Sequence, residues 1–500
     1  MVARSNIAAV LDQGARDHPA LVVPGRVSLS YSRLRELADE AANALASQGI
    51  GRGERVALVF PNGPEAIVLF LAASMVATAC PLNPAYKEDE FRFYLEDVGA
   101  RFLVVPPSGG EAARRAVPSG ATVIEASLDA DGRLIMSGAG HGRAVDSLEG
   151  SSDGDVGLVL HTSGTTSRPK RVPLRHDNLT ASVANIVATY ELGPEDVSLC
   201  VMPLFHVHGL LASALATFAS GGTVVVPDRF TPLGFWPLMQ AHHPTWFTAS
   251  PTPHQLVLAR LQEDRPAGTE RLRFVRSCSA ALSPAQMGLM EQRFGVPVLE
   301  AYGMTEASHQ MASNPLPPEP RVAGSVGRGT GVDIAIFDEA GAPVPTGTSG
   351  EVVIRGPNVM RGYEDNPQAN AGAFVDGWFR TGDVGTLDGA GYLRLVGRIK
   401  ELINRGGEKI APREIDEVLE AHPAVKEAVA FGVPHPTWGE EVAAAVVLRA
   451  PATEKELLAY SRQRLADFKV PKRLFIVDSI PRTPTGKVQR RFVADRFTHE

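Results

Sequence analysis

The chain has 500 residues, 44% of them hydrophobic and 21% charged, with a formal net charge of −7. That mixture suits a globular protein with more than one core, and an acidic balance without any basic block gives no reason to expect nucleic acid or an anionic membrane as partner. Cys80, Cys200 and Cys278 stand far apart without a CxxC pair, so no disulfide framework or zinc cluster is readable and a reducing compartment fits.

The N-terminal stretch carries Asp12 and Arg16 where a signal peptide would need an apolar core, and Thr498-His499-Glu500 is no recognised address, so a cytoplasmic location is expected. Leu37, Ala41 and Leu45 line one face of a helix that Gly49 can cap, and Val56 to Phe60 follows as a buried strand before the Pro61-Asn62-Gly63 turn. Ala66 to Cys80 is the most apolar stretch, but Ser74 and Thr78 interrupt it and Pro81 stops it, so it is too short to span a bilayer and reads as a core helix. The alternation recurs at Phe102 to Val105 and Thr223 to Val226, which predicts layered α/β sheets over roughly the first three hundred residues. Pro106 to Asp155, dense in Gly, Ala, Ser and Asp around a short Val123-Ile124 run, reads as surface connection. Val332, Ile334 and Ile336 alternate, Val352 to Ile354 and Tyr392 to Val396 follow, and together they predict an antiparallel, barrel-like subdomain. Beyond Arg398, a helix bearing Ile415, Val418 and Leu419, strands from Ala428 to Phe431 and Val442 to Leu448, and a helix from Glu454 to Leu465 predict a small α+β domain.

One segment concentrates chemistry. After the apolar run Val156 to Leu160 come His161-Thr162-Ser163-Gly164-Thr165-Thr166-Ser167-Arg168-Pro169-Lys170, where a glycine between hydroxyl donors can wrap amide and hydroxyl hydrogens around phosphate oxygens and Lys170 adds a point charge. It is not a Walker A loop, because Pro169 precedes the lysine and Arg171 stands where a magnesium-binding hydroxyl would follow. Further along stand Tyr302-Gly303-Met304-Thr305-Glu306, Arg380-Thr381-Gly382-Asp383, Gly397-Arg398-Ile399-Lys400 and Pro484-Thr485-Gly486-Lys487. Each taken singly also reads as ordinary turn chemistry or a strand-end aromatic. His206 and His208 form an HxH without further metal ligands obviously placed nearby.

In their joint order these five motifs resemble those of the adenylate-forming acyl-CoA synthetases. The resemblance implies an N-terminal domain over residues 1–398 that takes ATP and the acid, and a mobile C-terminal domain over residues 399–500. It implies three small molecules, a carboxylic acid, ATP with Mg2+, and coenzyme A, acting on a monomer or homodimer. By resemblance, Thr162, Ser163, Gly164, Thr165, Thr166 and Lys170 hold the outer phosphates, Thr305 contacts the α-phosphate, and Glu306 with Thr165 supports magnesium. Asp383 and Arg398 are assigned to the ribose, Tyr302 to the adenine face, and Gly303, Ser279 and Ala280 to the nucleotide. Lys487 contacts the reacting carboxylate and α-phosphate, Gly406 and Gly407 lie beside the pantetheine arm, and Lys400 is the hinge about which the small domain exchanges one catalytic face for the other.

A free carboxylate is a poor acyl donor, so it is first joined to the α-phosphorus of ATP with loss of pyrophosphate, and the acyl adenylate is then cleaved by the thiolate. Within the superfamily the chain is most similar to oxalyl-CoA synthetases, on four segments: Thr165 to Lys170, Phe205-His206-Val207-His208-Gly209, Arg276-Ser277-Cys278-Ser279-Ala280, and Thr305 to Met311 with Ser313-Asn314-Pro315. Where a fatty acyl enzyme needs an apolar tunnel, Ser308, His309, Gln310 and Asn314 offer hydrogen bonds to a second carboxylate, with His206 bordering the acyl pocket. Ser279 and His309 are the specific candidates for that carboxylate. Arg171 replaces the glycine usual after the loop lysine, where it either crowds the site or adds charge. Two other readings are a CoA ligase for a fatty or aryl acid, and an adenylating enzyme that loads a separate carrier protein; a nucleotide-binding regulator without turnover is disfavoured by intact Glu306, Asp383 and Lys487.

Overall fold

The computed structural model describes residues 6–129, 131–138, 151–162, 169–261, 265–482 and 488–497. Among them, two large sheets carry the first three hundred residues. A nine-stranded sheet runs in the order Arg328–Gly329, His309–Ser313, Val298–Met304, Phe274–Ser277, Trp246–Ala249, Val197–Cys200, Thr223–Val225, Pro19–Val23, Val27–Ser30. Its middle, from Val298–Met304 to Pro19–Val23, is parallel, and these strands are largely buried, with polar residues such as Arg276, Thr248 and Ser198 buried among the apolar ones. The seven-stranded sheet runs Leu134–Gly138, Thr122–Leu128, Phe102–Val105, Arg55–Leu58, Thr78–Pro81, Val156–His161, Arg171–Arg175.

One apolar core joins both sheets to the helices Tyr31–Ser47 and Pro64–Val76. Every residue of Pro64–Val76 except Ala66 is buried, which a helix apolar on all sides requires. The expected helix from Ala66 to Cys80 is therefore shorter: Ala77 is extended, and Thr78–Pro81 becomes a strand between Arg55–Leu58 and Val156–His161. No helix among the described residues is long and apolar enough to cross a membrane.

The stretch from Pro106 to Asp155 is more than surface connection. Thr122–Leu128 pairs with Phe102–Val105 and with Leu134–Gly138, burying Ile124, Ala126 and Leu128 on one face while Val123, Glu125 and Ser127 are only half-buried.

From Asp333 the chain forms a five-stranded antiparallel sheet of Asp333–Phe337, Gly350–Arg355, Trp378–Leu387 and Phe374–Val375, with Leu393–Arg398 on Trp378–Leu387. The separate C-terminal domain pairs Val425–His435 with Gly439–Leu448, adds Ile403–Arg405, Glu408–Ile410 and Arg473–Ile476, and packs the helix Pro412–Glu420 through Ile415 and Leu419 into its own core.

Candidate active site

The C-terminal ends of the parallel strands converge, the position at which open α/β sheets take ligands. Val298–Met304 turns there through a short 3-10 segment, Thr305–Ala307, leaving Thr305 half-buried and Glu306 buried. Tyr363 Oη donates to Glu306 Oε1 at 2.9 Å, and the Lys170 ammonium lies 4.2 Å from the centre of the same Tyr363 ring. Burial pushes the Lys170 ammonium down, Glu306 draws it up, and Lys400, the expected hinge residue, pushes it down again. Burial and the Glu306 carboxylate push the Tyr363 phenol up, so it keeps its proton and donates. Lys170, Tyr363, Glu306 and Lys400 thus share one electrostatic neighbourhood.

Beside it, Tyr302 Oη donates to Asp383 Oδ2, and Arg398 Nε lies 2.9 Å from Asp383 Oδ1. Burial, then Asp383, pushes the Tyr302 phenol well above its ordinary value. Gly303 has a packing reason: a Cβ there would lie 2.1 Å from the carbonyl oxygen of His309.

The segment expected to hold phosphates joins two antiparallel strands. His161 of Val156–His161 pairs antiparallel with Arg171 of Arg171–Arg175, and the base is closed by Thr162 N donating to Lys170 O at 3.0 Å and Lys170 N to Thr162 Oγ1 at 3.3 Å. Ser163, Gly164, Thr165 and Thr166 lie outside the described residues, as does Lys487. The Arg171 guanidinium is engaged by other parts of the chain, donating to Asp97 O, pairing with Asp365, and lying 3.1 Å from Glu364 through Nε. Asp97 in turn holds His161 at 2.9 Å, and Glu364 holds Arg55. Arg171→Gly is expected to cost on the order of 2 kcal/mol, because it strips one partner from half-sealed carboxylates. A melting curve should therefore fall while KM for ATP does not improve; a tighter KM would show that the side chain presses on the nucleotide.

The acyl end is built from four elements. Thr248 and Arg276 face each other across the parallel strands Trp246–Ala249 and Phe274–Ser277. Ser279 follows two residues past the second strand with φ of 74°, and His208 opens a helix, His208–Leu215, whose wide turns carry i to i+5 bonds such as Ala216 N to Leu211 O. His208 Nδ1 and Ser279 Oγ are 2.9 Å apart, and the His208 and His309 rings lie 5.0 Å centre to centre. Ser308 and His309 have φ of 49° and 101°, conformations that non-glycine residues hold only when their surroundings force them. Ser182 Oγ donating to Ser308 O at 2.5 Å and Asn358 Nδ2 donating to Ala307 O at 2.8 Å supply that force.

Two expected substrate donors are committed elsewhere. Gln310 Nε2 donates to Thr189 and Thr330 at 3.2 and 3.3 Å, and its Oε1 accepts from Arg276 and Tyr190. Asn314 Nδ2 donates to Ser325 O at 2.6 Å and its Oδ1 accepts from Val322 N. Both knit the strand His309–Ser313 to its neighbours. In the HxH, it is His208 that reaches Ser279, while His206 Nδ1 accepts from His208 N at 3.4 Å.

In the C-terminal domain Gly406 and Gly407, with φ of 61° and 96°, are the two central residues of a hairpin between Ile403–Arg405 and Glu408–Ile410, a turn that needs positive φ at both. A Cβ on Gly406 would strike the Trp438 ring at 2.8 Å, whereas Gly407 faces open space. Arg482 and Val488 form the bridged stem of the segment that carries Lys487, and Arg482 Nη1 donates to Thr252 Oγ1 of the large domain at 2.8 Å.

Residues 9–364 match the AMP-binding enzyme family and residues 414–487 its C-terminal domain. The chain belongs to the AMP-binding enzymes. It is 49% identical to an oxalate–CoA ligase of Arabidopsis thaliana over 96% of each chain, and 45% identical to an oxalate–CoA ligase of Saccharomyces cerevisiae over 89% of this chain and 87% of that one. It superposes on ATP-bound MatB from Rhodopseudomonas palustris with a TM-score of 0.89 at 32% identity, covering 99% of both chains. The protein is an ATP-dependent, AMP-forming acid–CoA ligase.

For magnesium the donor chemistry fits. Glu306 offers hard carboxylate oxygen of the kind magnesium prefers. Sequence reasoning missed Tyr363 and Thr248, and named Arg276 within a resembling segment without giving it a role. Tyr363 follows a glycine in an irregular loop and Thr248 sits in a short buried strand, so no local pattern marks either of them.

Proposed function

We propose that this ligase activates oxalate and transfers the oxalyl group to coenzyme A. What supports the substrate is the polarity of the acyl end: Ser279 and His309, backed by the buried groups of His208, Thr248 and Arg276, put hydroxyls, imidazoles and a guanidinium where an alkyl chain would need apolar surroundings. An alkyl or aryl acid would give the Ser279 hydroxyl nothing to donate to, at about 1–3 kcal/mol. The oxalate–CoA ligases among its relatives point the same way.

On this reading one carboxylate of oxalate attacks the α-phosphorus, the bond to pyrophosphate breaks, and the mixed anhydride is then attacked at its acyl carbon by the thiolate, expelling AMP. Thr162 to Thr166 and Lys170 hold the β- and γ-phosphates, and Thr305 the α-phosphate. Asp383 and Arg398 take the ribose hydroxyls, Tyr302 and Gly303 line the base, and Ala280 with Ser279 borders the nucleotide. Magnesium, held by Glu306 and Thr165, supplies positive charge for the departing pyrophosphate. Ser279 and His309 receive the distal carboxylate, with His206 at the pocket's border. The small domain, from residue 399 onward, turns about Lys400 to replace Lys487 by the Gly406-Gly407 hairpin for thioester formation.

The test is pyrophosphate release with oxalate, malonate, acetate, benzoate and a long fatty acid, with and without CoA. Oxalate is expected to lead in kcat/KM, with acetate, benzoate and the fatty acid at least about a hundredfold behind, the discrimination that unpaired buried polar groups impose. A lead for benzoate or the fatty acid would overturn the substrate.

A further inference from the structure

Arg276 is second only to Trp246 in size among the fully buried side chains, and none of the described residues places a carboxylate in ion-pair contact with it. Its partners are neutral: Nε donates to Tyr190 Oη at 2.7 Å, Nη1 to Thr248 Oγ1 at 3.0 Å, and Nη2 to Gln310 Oε1 at 3.0 Å, while Nη1 also faces His208 Nε2 at 3.5 Å. Thr248 and His208 are likewise sealed from solvent.

A guanidinium has donors and no acceptor, so this network has a direction. Thr248 Oγ1 accepts from Arg276 and cannot return its own hydrogen there, and His208 Nε2, 2.7 Å away, is in reach to accept it. His208 Nε2 must then present its lone pair, which the guanidinium hydrogen facing it also demands. The imidazole proton is thereby placed on Nδ1, from which it is donated to Ser279 Oγ at 2.9 Å. With one lone pair of Ser279 taken by His208, its own hydrogen is not spent on the imidazole and can be donated to another acceptor.

We infer that Arg276, Thr248 and His208 are positioning residues that preset the Ser279 hydroxyl as a donor to an anionic oxygen of the acid, with a buried cation polarising the chain behind it. Such a chain strengthens each of its bonds and favours a substrate bearing a second negative charge over one with a neutral tail. The inference rests on the placement of Ser279 at the acyl site, and it names the groups that make that site selective.

Thr248→Val deletes the hydroxyl at constant volume and Thr248→Ser restores it. The valine variant is expected to raise KM for oxalate about tenfold, the worth of one charge-directed hydrogen bond, with a smaller change in kcat. KM for ATP stays within about twofold, and the serine variant returns oxalate binding to within about threefold of the wild type. In a Ser279→Ala background Thr248→Val should change KM for oxalate by less than about twofold, because the relay acts through that hydroxyl alone, whereas a structural role would weaken both backgrounds alike. His208→Phe is the second break in the chain if the valine variant does not fold, and the same silence on Ser279→Ala is expected of it. Additive effects, or an unchanged KM in Thr248→Val, overturn the relay. A wild-type preference for another acid overturns oxalate instead, and the same cycle run on that acid decides the relay: a rise abolished by Ser279→Ala supports it, additivity rejects it.

Discussion

Lys487→Ala is expected to lower oxalate-dependent pyrophosphate release by about a hundred- to thousandfold, the size of effect seen when one preorganised donor to a transition state is removed. The same variant should still convert a supplied acyl adenylate and CoA to thioester at close to the wild-type rate. The reason is where charge moves. In the first step an anion approaches a polyanion, and a cation placed between the attacking oxygen and the α-phosphate offsets that repulsion as the new bond forms. In the second step the nucleophile arrives at carbon and the leaving group is AMP, which needs no such clamp. Lys487 directly precedes Val488, whose bridge to Arg482 forms a stem, and Arg482 reaches Thr252 on the large domain at 2.8 Å. Stopped-flow assays of each half-reaction decide the matter: equal loss in both would refute the division of labour between the two faces of the small domain.

Glu306→Gln carries the second large effect. Pyrophosphate release should drop by about a hundredfold, and the magnesium concentration for half-maximal rate should rise, because an amide oxygen is a far weaker ligand than a carboxylate for a hard cation. The substitution is chosen to spare the fold: the amide oxygen can still accept from Tyr363 Oη, now 2.9 Å from Glu306 Oε1, and the backbone bond from Met360 N to Glu306 O at 2.8 Å is untouched. What it removes is the negative charge that offsets burial of the Lys170 ammonium above the Tyr363 ring. A magnesium titration that superposes on the wild type would exclude Glu306 from metal support.

Much of the fold was legible because its strands are short apolar runs with sharp ends. Phe102–Val105 and Thr223–Val225 lie in the interior of sheets covered on both faces, and such strands announce themselves. Thr122–Leu128 did not, since its buried face is made of Ile124, Ala126 and Leu128 within a glycine- and serine-rich surround. The end of the Pro64–Val76 helix was equally silent: an apolar run is compatible with helix or strand, and only pairing with Val56 and Ala57 makes Ala79 and Cys80 part of a sheet. The Gly406-Gly407 pair was read for its chemistry, and the hairpin geometry shows that the turn itself demands both glycines.

The amino-acid sequence by itself determined the class of reaction, through the resemblance of five short motifs whose order along the chain is independent of any detail of packing. Tertiary structure alone decided what those segments lean on. Arg171 turned out to be a tether because Asp97, Glu364 and Asp365 converge on it from distant parts of the chain, and Gln310 and Asn314 became internal staples for the same reason. Arg276 and Thr248, 28 residues apart, meet only because two parallel strands pair in register, and His208 joins them from a helix on another layer. A local pattern can declare its own conformation and chemistry, but a buried charge takes its meaning from neighbours that the linear chain keeps far away.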